Sequence, residues 1–172
     1  MVEDIVDARR SEPSYVQGER AMLESWLEFH RTTLLLKCDG LSDADRKARP
    51  VSTSKLSLHG LVRHMAEVER NWFQRVLQRE PHCPTVFLDV EVEDSELVPL
   101  DDTDWESDLA TWQRECEAAR ASAAQHDLDD TGIRRGEEVS LRWIYVHMIE
   151  EYARHNGHAD LLRELVDGAV GW

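Results

Sequence analysis

Four residues near the C-terminal end, His147, Glu151, His155 and His158, follow one another at spacings of four, four and three within HMIEEYARHNGHADLLREL, residues 147–165. Those intervals put side chains on one side of an α-helix. Imidazole and carboxylate groups that converge this way can hold a divalent cation or move protons. The segment has no Pro, and Met148, Ile149, Ala159, Leu161, Leu162 and Leu165 supply its apolar residues. Helical phase decides whether the polar four face water or core. At about 100° per residue from Ile144, Met148 falls at about 40°, Ala159 at about 60° and Leu162 at about 0°. On the same arithmetic Glu151 lies at about 340°, His155 at about 20°, His158 at about 320° and His147 at about 300°. All four fall in the apolar stripe, with Glu151 and His155 near its centre. His30 repeats the pattern earlier, between Trp26, Leu27 and Leu34.

A buried carboxylate is costly unless it is paired, protonated or bound to a metal. Two readings satisfy Glu151 and His155: a hydrogen-bonded core pair, or two ligands aimed at one cation from positions i and i+4. The sequence has no H-E-x-x-H, and it lacks the E-x-x-H pairs that a di-iron carboxylate bundle requires. A cation held between helices needs a third ligand from another one. The second apolar segment offers His59 and His64, of which His64, on the flank of the stripe beside Leu61 and Val68, is the better placed. Glu69 lies near the same stripe and is a candidate partner for a ligand.

Four helical segments must position these groups. The first runs from Ser14 or Gly18 to Asp39, with Gly40 to end it. A loop follows, with Pro50 as breaker and a short helical turn at Asp43. The second begins after Ser57, an N-cap residue, and stops near Glu80. Its stripe is Leu58, Leu61, Val62, Met65, Val68, Trp72, Phe73 and Val76, with Trp72 and Phe73 read as core. Residues 81–103 hold three prolines and many acids; VFLDVEV alternates weakly like a strand, and the acidic runs EVEDSE and LDDTD read as solvated loop. The third helix begins after Asp102 or Thr103 and carries Trp105, Leu109, Trp112, Cys116, Ala119 and Ala123. HDLDDTGIRRGEEV reads as a loop turning at Thr131-Gly132. The fourth helix runs from Ser140 to about Val166. The expectation is an all-α protein, a four-helix bundle with a long connection between helices two and three that is free to cross the bundle.

The 172 residues fit one domain over 1–172, with 1–13 as a loosely ordered arm. No stretch approaches the roughly 18 to 20 apolar residues of a membrane span. MVEDIVDARRSEPS lacks the apolar centre of a signal peptide, so a cytoplasmic location is expected. Twenty Lys and Arg against 35 Asp and Glu give a net charge of −15, which argues against nucleic acid or an anionic membrane as partner. Three cysteines without C-x-x-C read as buried or idle thiols.

GLSDADRKARPVSTSKLSLHGLVRHMAEVERNWFQRVL, followed much later by LRWIYVHMIEEYARHNGHADLLREL, resembles the DinB superfamily over about Gly18 to Gly168, most closely an actinobacterial branch of it. The resemblance implies a four-helix bundle with a metal site, zinc or nickel being the usual ion. It further implies one His ligand on the second helix and two ligands four apart on the last. That pair is Glu and His in the related mycothiol-dependent maleylpyruvate isomerases. Carried over by motif, the metal ligands are His64, Glu151 and His155. Those isomerases have a further C-terminal domain, whereas this sequence ends at Trp172, a departure from their pattern.

Three protein ligands leave a coordination position open, as in catalytic zinc sites. A cation with an open position lowers the pKa of a bound water or thiol. The resemblance implies action on a low-molecular-weight thiol such as mycothiol or bacillithiol, by S-transfer or isomerisation. His30, His147 and His158 are candidates for proton transfer or substrate contact. The rival expectations are a non-catalytic metal-binding stress-response protein and a metal-dependent hydrolase. The partner expected is a small-molecule substrate; a homodimer is compatible with such bundles, though no patch in the sequence decides it.

Overall fold

The computed structural model describes residues 9–98 and 103–170. Five α-helices and one hairpin follow in order: α1 (Glu19–Lys37), α2 (Asp43–Lys47), α3 (Leu58–Arg70), α4 (Trp105–Ala123), β1 (Thr131–Arg134), β2 (Glu137–Ser140) and α5 (Leu141–Asp167). Their limits follow local chemistry. Ser42, Ser57, Asp104 and Ser140 each accept a backbone N–H from the first turn of the helix that follows. Gly168, at φ 78°, closes α5 in the left-handed conformation.

Direction is read from contacts at opposite ends. Arg142 meets Glu19 at 2.6 Å, and Arg163 donates to the Lys37 carbonyl at 2.9 Å, so α1 and α5 run parallel. Arg63 meets Asp108 at 2.8 Å, and Gln78 meets Ser122 at 2.9 Å, so α3 and α4 are parallel too. His155 lies against His64 while His147 lies against Trp72, so α5 is antiparallel to α3. The bundle is up-down-down-up. A chain leaving α3 must therefore return the helix's whole length before α4 begins, and the long connection is that return.

The returning strap is fastened to α3. The buried Glu67 accepts the backbone N–H groups of Val86, Phe87 and Leu88 on one carboxylate oxygen. The Arg63 guanidinium stacks 4.2 Å from the Phe87 ring centroid and donates to the Glu96 carbonyl at 3.1 Å. Gly60 lets the strap approach this closely, because a Cβ there would collide with the Leu97 carbonyl. VFLDVEV forms bends and turns here and no strand: its first three N–H groups are taken up by Glu67, and those of Asp89, Glu91 and Val92 by Ser95 and Asp89.

Three sequence expectations change. Residues 131 and 132 do not turn: they belong to β1, which pairs antiparallel with β2. The turn is Arg135-Gly136, both at positive φ (51° and 85°), the geometry of a two-residue hairpin loop. Gly132 is needed in β1 because a Cβ would strike the Val76 carbonyl. The helix after Ser57 does not run evenly to Glu80; past Arg70 it winds as a π-helix over Asn71–Leu77. The third long helix begins at Trp105, capped by Asp104, one to two residues later than either expected start; Asp102 itself lies outside the described residues. Residues 1–8 of the expected N-terminal arm also lie outside them, and from Arg9 onward the arm rests on α1, where Arg10 donates to Thr33 and stacks on Phe29.

The core holds Leu27, Leu34, Leu61, Met65, Phe73, Ile144, Met148 and Tyr152, all buried. Within it sits a polar network. Arg31 grips both oxygens of Glu69 at 2.7 and 2.6 Å, Tyr152 donates to Glu69 at 2.7 Å, and Trp112 donates to Tyr152 at 3.0 Å. Burial is the largest single influence and opposes the Arg31 charge, but Glu69 together with Cys116 and Tyr152 more than offsets it and holds the guanidinium protonated. Glu69 is thus a core ion-pair partner, 0 % exposed, rather than a companion to a metal ligand. The three cysteines are free; burial pushes Cys38 up to about 12 and raises Cys116 as well, so neither thiol ionises at neutral pH. Among the described residues no helix is long and apolar enough to cross a membrane.

Candidate metal centre

Antiparallel packing of α5 on α3 brings His64, Glu151 and His155 together. Each offers one ligand atom, and these atoms lie within 4.8 Å of one another. The His64 and His155 ring centroids are 4.7 Å apart, and His155 Nε2 is 3.5 Å from Glu151 Oε2. Burial, then the neighbouring His64 and His158, lowers the His155 pKa to about 3. A ring so held is neutral at physiological pH, the form that ligates. Two imidazoles and a carboxylate are a donor set known from catalytic zinc sites, and they suit nickel also.

The far side of each ring is also engaged. His64 Nδ1 lies 3.1 Å from Glu96 Oε1, which leaves Nε2 for a cation. His155 Nδ1 lies 3.4 Å from His158 Nδ1, again leaving Nε2. A carboxylate behind a ligating imidazole fixes its tautomer and orientation. Glu96 is 8 % exposed and delivered by the strap, so the acidic run EVEDSE is not all solvated loop. Spacing gave no sign of it; the only hint was that a connection this long had to cross something. Substituting Glu96 by Ala is expected to weaken zinc binding about 10- to 100-fold without loss of helix content. A chelator-competition titration beside a circular dichroism spectrum checks this, and unchanged affinity would remove Glu96 from the site.

The remaining candidates fall in different places. His147, half-buried one turn before Glu151, has Nε2 3.4 Å from Glu151 Oε1 and Nδ1 3.5 Å from Glu150 Oε2. Its ring stacks on Trp143 at 5.0 Å and meets Trp72 edge-on at 4.5 Å. Burial lowers its pKa. Glu151 therefore directs one oxygen to His147 and the other to His155. His147, Glu150 and Glu151 form a second convergent group; the Arg154 guanidinium pairs with both of its carboxylates, meeting Glu151 at Oε2, the oxygen that also faces His155. His158 touches His155 directly. His30 stands apart on the seam between α1 and α5, where Asn156 donates to its carbonyl at 3.0 Å and lies 3.4 Å from its Nδ1. His59, the other His on α3, is buried with Nε2 2.8 Å from Asp108.

A family model described as mycothiol-S-transferase matches residues 22–168. No curated protein matches the chain. The matched region takes in His64, Glu96, Glu151 and His155 and nearly all of the bundle. With the match running from the first turn of α1 to the cap of α5, the chain belongs to the mycothiol-S-transferase family.

Proposed function

We propose that this protein is a divalent-metal-dependent transferase in which the sulfur of a low-molecular-weight thiol of the mycothiol type displaces the leaving group of an electrophile, which departs as its anion while the thiol proton passes to the protein. The observation that carries the metal is the convergence of His64, Glu151 and His155 with His155 held neutral. Those three residues would hold zinc or nickel. When bound, such an ion is a Lewis acid that makes a nearby thiol more acidic at neutral pH.

The chain's own residues then divide the work. Glu96 holds the His64 ring through Nδ1. With Nε2 of His155 on the ion, its Nδ1–H would face His158 Nδ1, 3.4 Å away, which fixes that ring. His147, kept neutral by burial, takes the proton released by the thiol at Nε2, next to the Glu151 carboxylate that steadies the resulting imidazolium. His30 acts as a positioning residue through Asn156, which adjoins His155 in α5. Neither buried cysteine competes as nucleophile, since both thiols stay protonated.

The test is consumption of mycothiol with chlorodinitrobenzene by protein loaded with zinc or nickel, beside His64→Ala. Turnover that needs mycothiol and is lost in the variant is expected. Absence of thiol consumption with either ion overturns the reading, as does an equal rate in His64→Ala.

A further inference from the structure

Trp143, His147, Glu151 and His155 form a single ridge along α5 at steps of four, so the candidate centre continues toward the helix's N-terminal end. Trp143 stands at that end, 48 % exposed despite its size. One side of its ring stacks on His147. It also walls a crevice of about 670 Å³ between the hairpin and α5, whose other walls carry Thr131, Arg134, Arg135, Glu137 and Glu138. Arg134 is itself stacked 4.3 Å from the Trp72 ring centroid, which fixes the plane of its guanidinium.

The composition of this crevice is selective. Two guanidinium groups stand with two carboxylates, so neither a simple anion nor a simple cation is favoured. Planar donors and acceptors line the crevice together with one half-exposed indole. The C–H bonds of a pyranose or cyclitol ring carry slight positive charge and pack on the negative face of an indole. Their hydroxyls, each both donor and acceptor, match carboxylates and guanidinium groups together. The size is within the usual range for small-molecule pockets. Trp143 and Glu151 are two helical turns apart, roughly 12 Å along the axis. A thiol with its sulfur on a short arm and a sugar–cyclitol at the other end spans such a ridge.

The geometry points to the Trp143 crevice as a subsite for the polyhydroxylated hexosamine–cyclitol end of the thiol, which leaves the sulfur end at Glu151 and His155. This rests on the thiol-transferase reading above. Trp143 supplies the stacking face, Arg134 and Glu138 grip hydroxyls, and the ridge between measures the length of the substrate.

The probe is glucosaminyl-inositol, mycothiol without its cysteine, titrated into the full-length zinc-loaded protein while the six Trp indole N–H signals are followed by NMR. The Trp143 signal is assigned by its loss in Trp143→Phe. A saturable shift at Trp143 is expected, with affinity about tenfold weaker in Trp143→Ala and partly restored in Trp143→Phe. Arg134→Ala weakens binding too. In turnover, Trp143→Ala is expected to lower kcat/KM more for mycothiol than for N-acetylcysteine, which has the same sulfur and no sugar. No saturable shift at Trp143, or equal loss for both thiols, overturns the subsite. Binding at Trp143 by a protein that consumes no mycothiol keeps the subsite and removes the transferase reading. Mycothiol turnover with no binding at Trp143 does the reverse.

Discussion

Protein purified without a polyhistidine tag carries about one equivalent of divalent cation, and the Glu151→Ala, His155→Ala double variant carries none: that is the expected result of metal analysis. The double change removes two of the three converging donors and leaves His64 with Glu96, a pair that cannot surround an ion alone. A second reading comes from heat. A ligand that binds only the folded state at about 100 times its Kd adds about 2.7 kcal/mol of stability. For a domain of this size that raises Tm by roughly 5–10 °C. Zinc therefore shifts the melting curve of the wild type and leaves that of the double variant in place. If the wild type binds neither zinc nor nickel, the inward His and Glu side chains are a hydrogen-bonded core pair, and the transferase reading loses its foundation.

Glu69→Ala gives the largest loss of stability expected anywhere in the bundle. Arg31 is 3 % exposed and depends on both Glu69 oxygens, and Tyr152 donates to the same carboxylate. Removing the acid takes away two of the three carboxylate contacts of a buried cation, leaving only Glu28 at 2.6 Å on Nη1, and deprives the Tyr152 hydroxyl of its acceptor. Breaking one partner of such a pair lowers unfolding free energy by about 3–5 kcal/mol. Urea unfolding of Glu69→Ala measures this, and a loss under about 1 kcal/mol would contradict the buried-pair account. Arg31→Met with Glu69→Leu is expected to be less damaging than either single change, since no charge is left uncompensated. Metal content remains at the wild-type level in Glu69→Ala protein that is still folded, which separates this network from the candidate centre.

The bundle and the inward turn of Glu151 and His155 were legible because both are periodic. Leu61, Met65, Val68 and Trp72 recur at helical steps, and one phase angle places a residue on a helix face. Phase stops at the face, however. It put Glu69 near the stripe of α3 but could not show that Arg31 of α1 would claim it. Glu96 was not legible: it lies in an aperiodic acidic run and is buried by a path that only the parallel pairing of α3 and α4 explains. The hairpin escaped for another reason. Its strands are four residues each with no buried residue on β2, and Arg135-Gly136 is a weaker turn signal than Asn-Gly. Phase put His147 in the apolar stripe away from its centre, and it is half-buried there against Trp72 and Trp143.

The spread of the candidate ligands along the chain also sets an order in time. His64 leaves the ribosome early, Glu96 follows with the strap, and Glu151 and His155 come only after all of α4 and the hairpin. Contacts between segments so distant in the chain close late, because long loops must be ordered before such contacts can reward them. The nascent chain therefore has no complete nest of ligands until synthesis is nearly over. On the metal-dependent reading proposed above, cation loading would be a finishing step, and a chain stalled before α5 would have His64 without the two ligands it converges on.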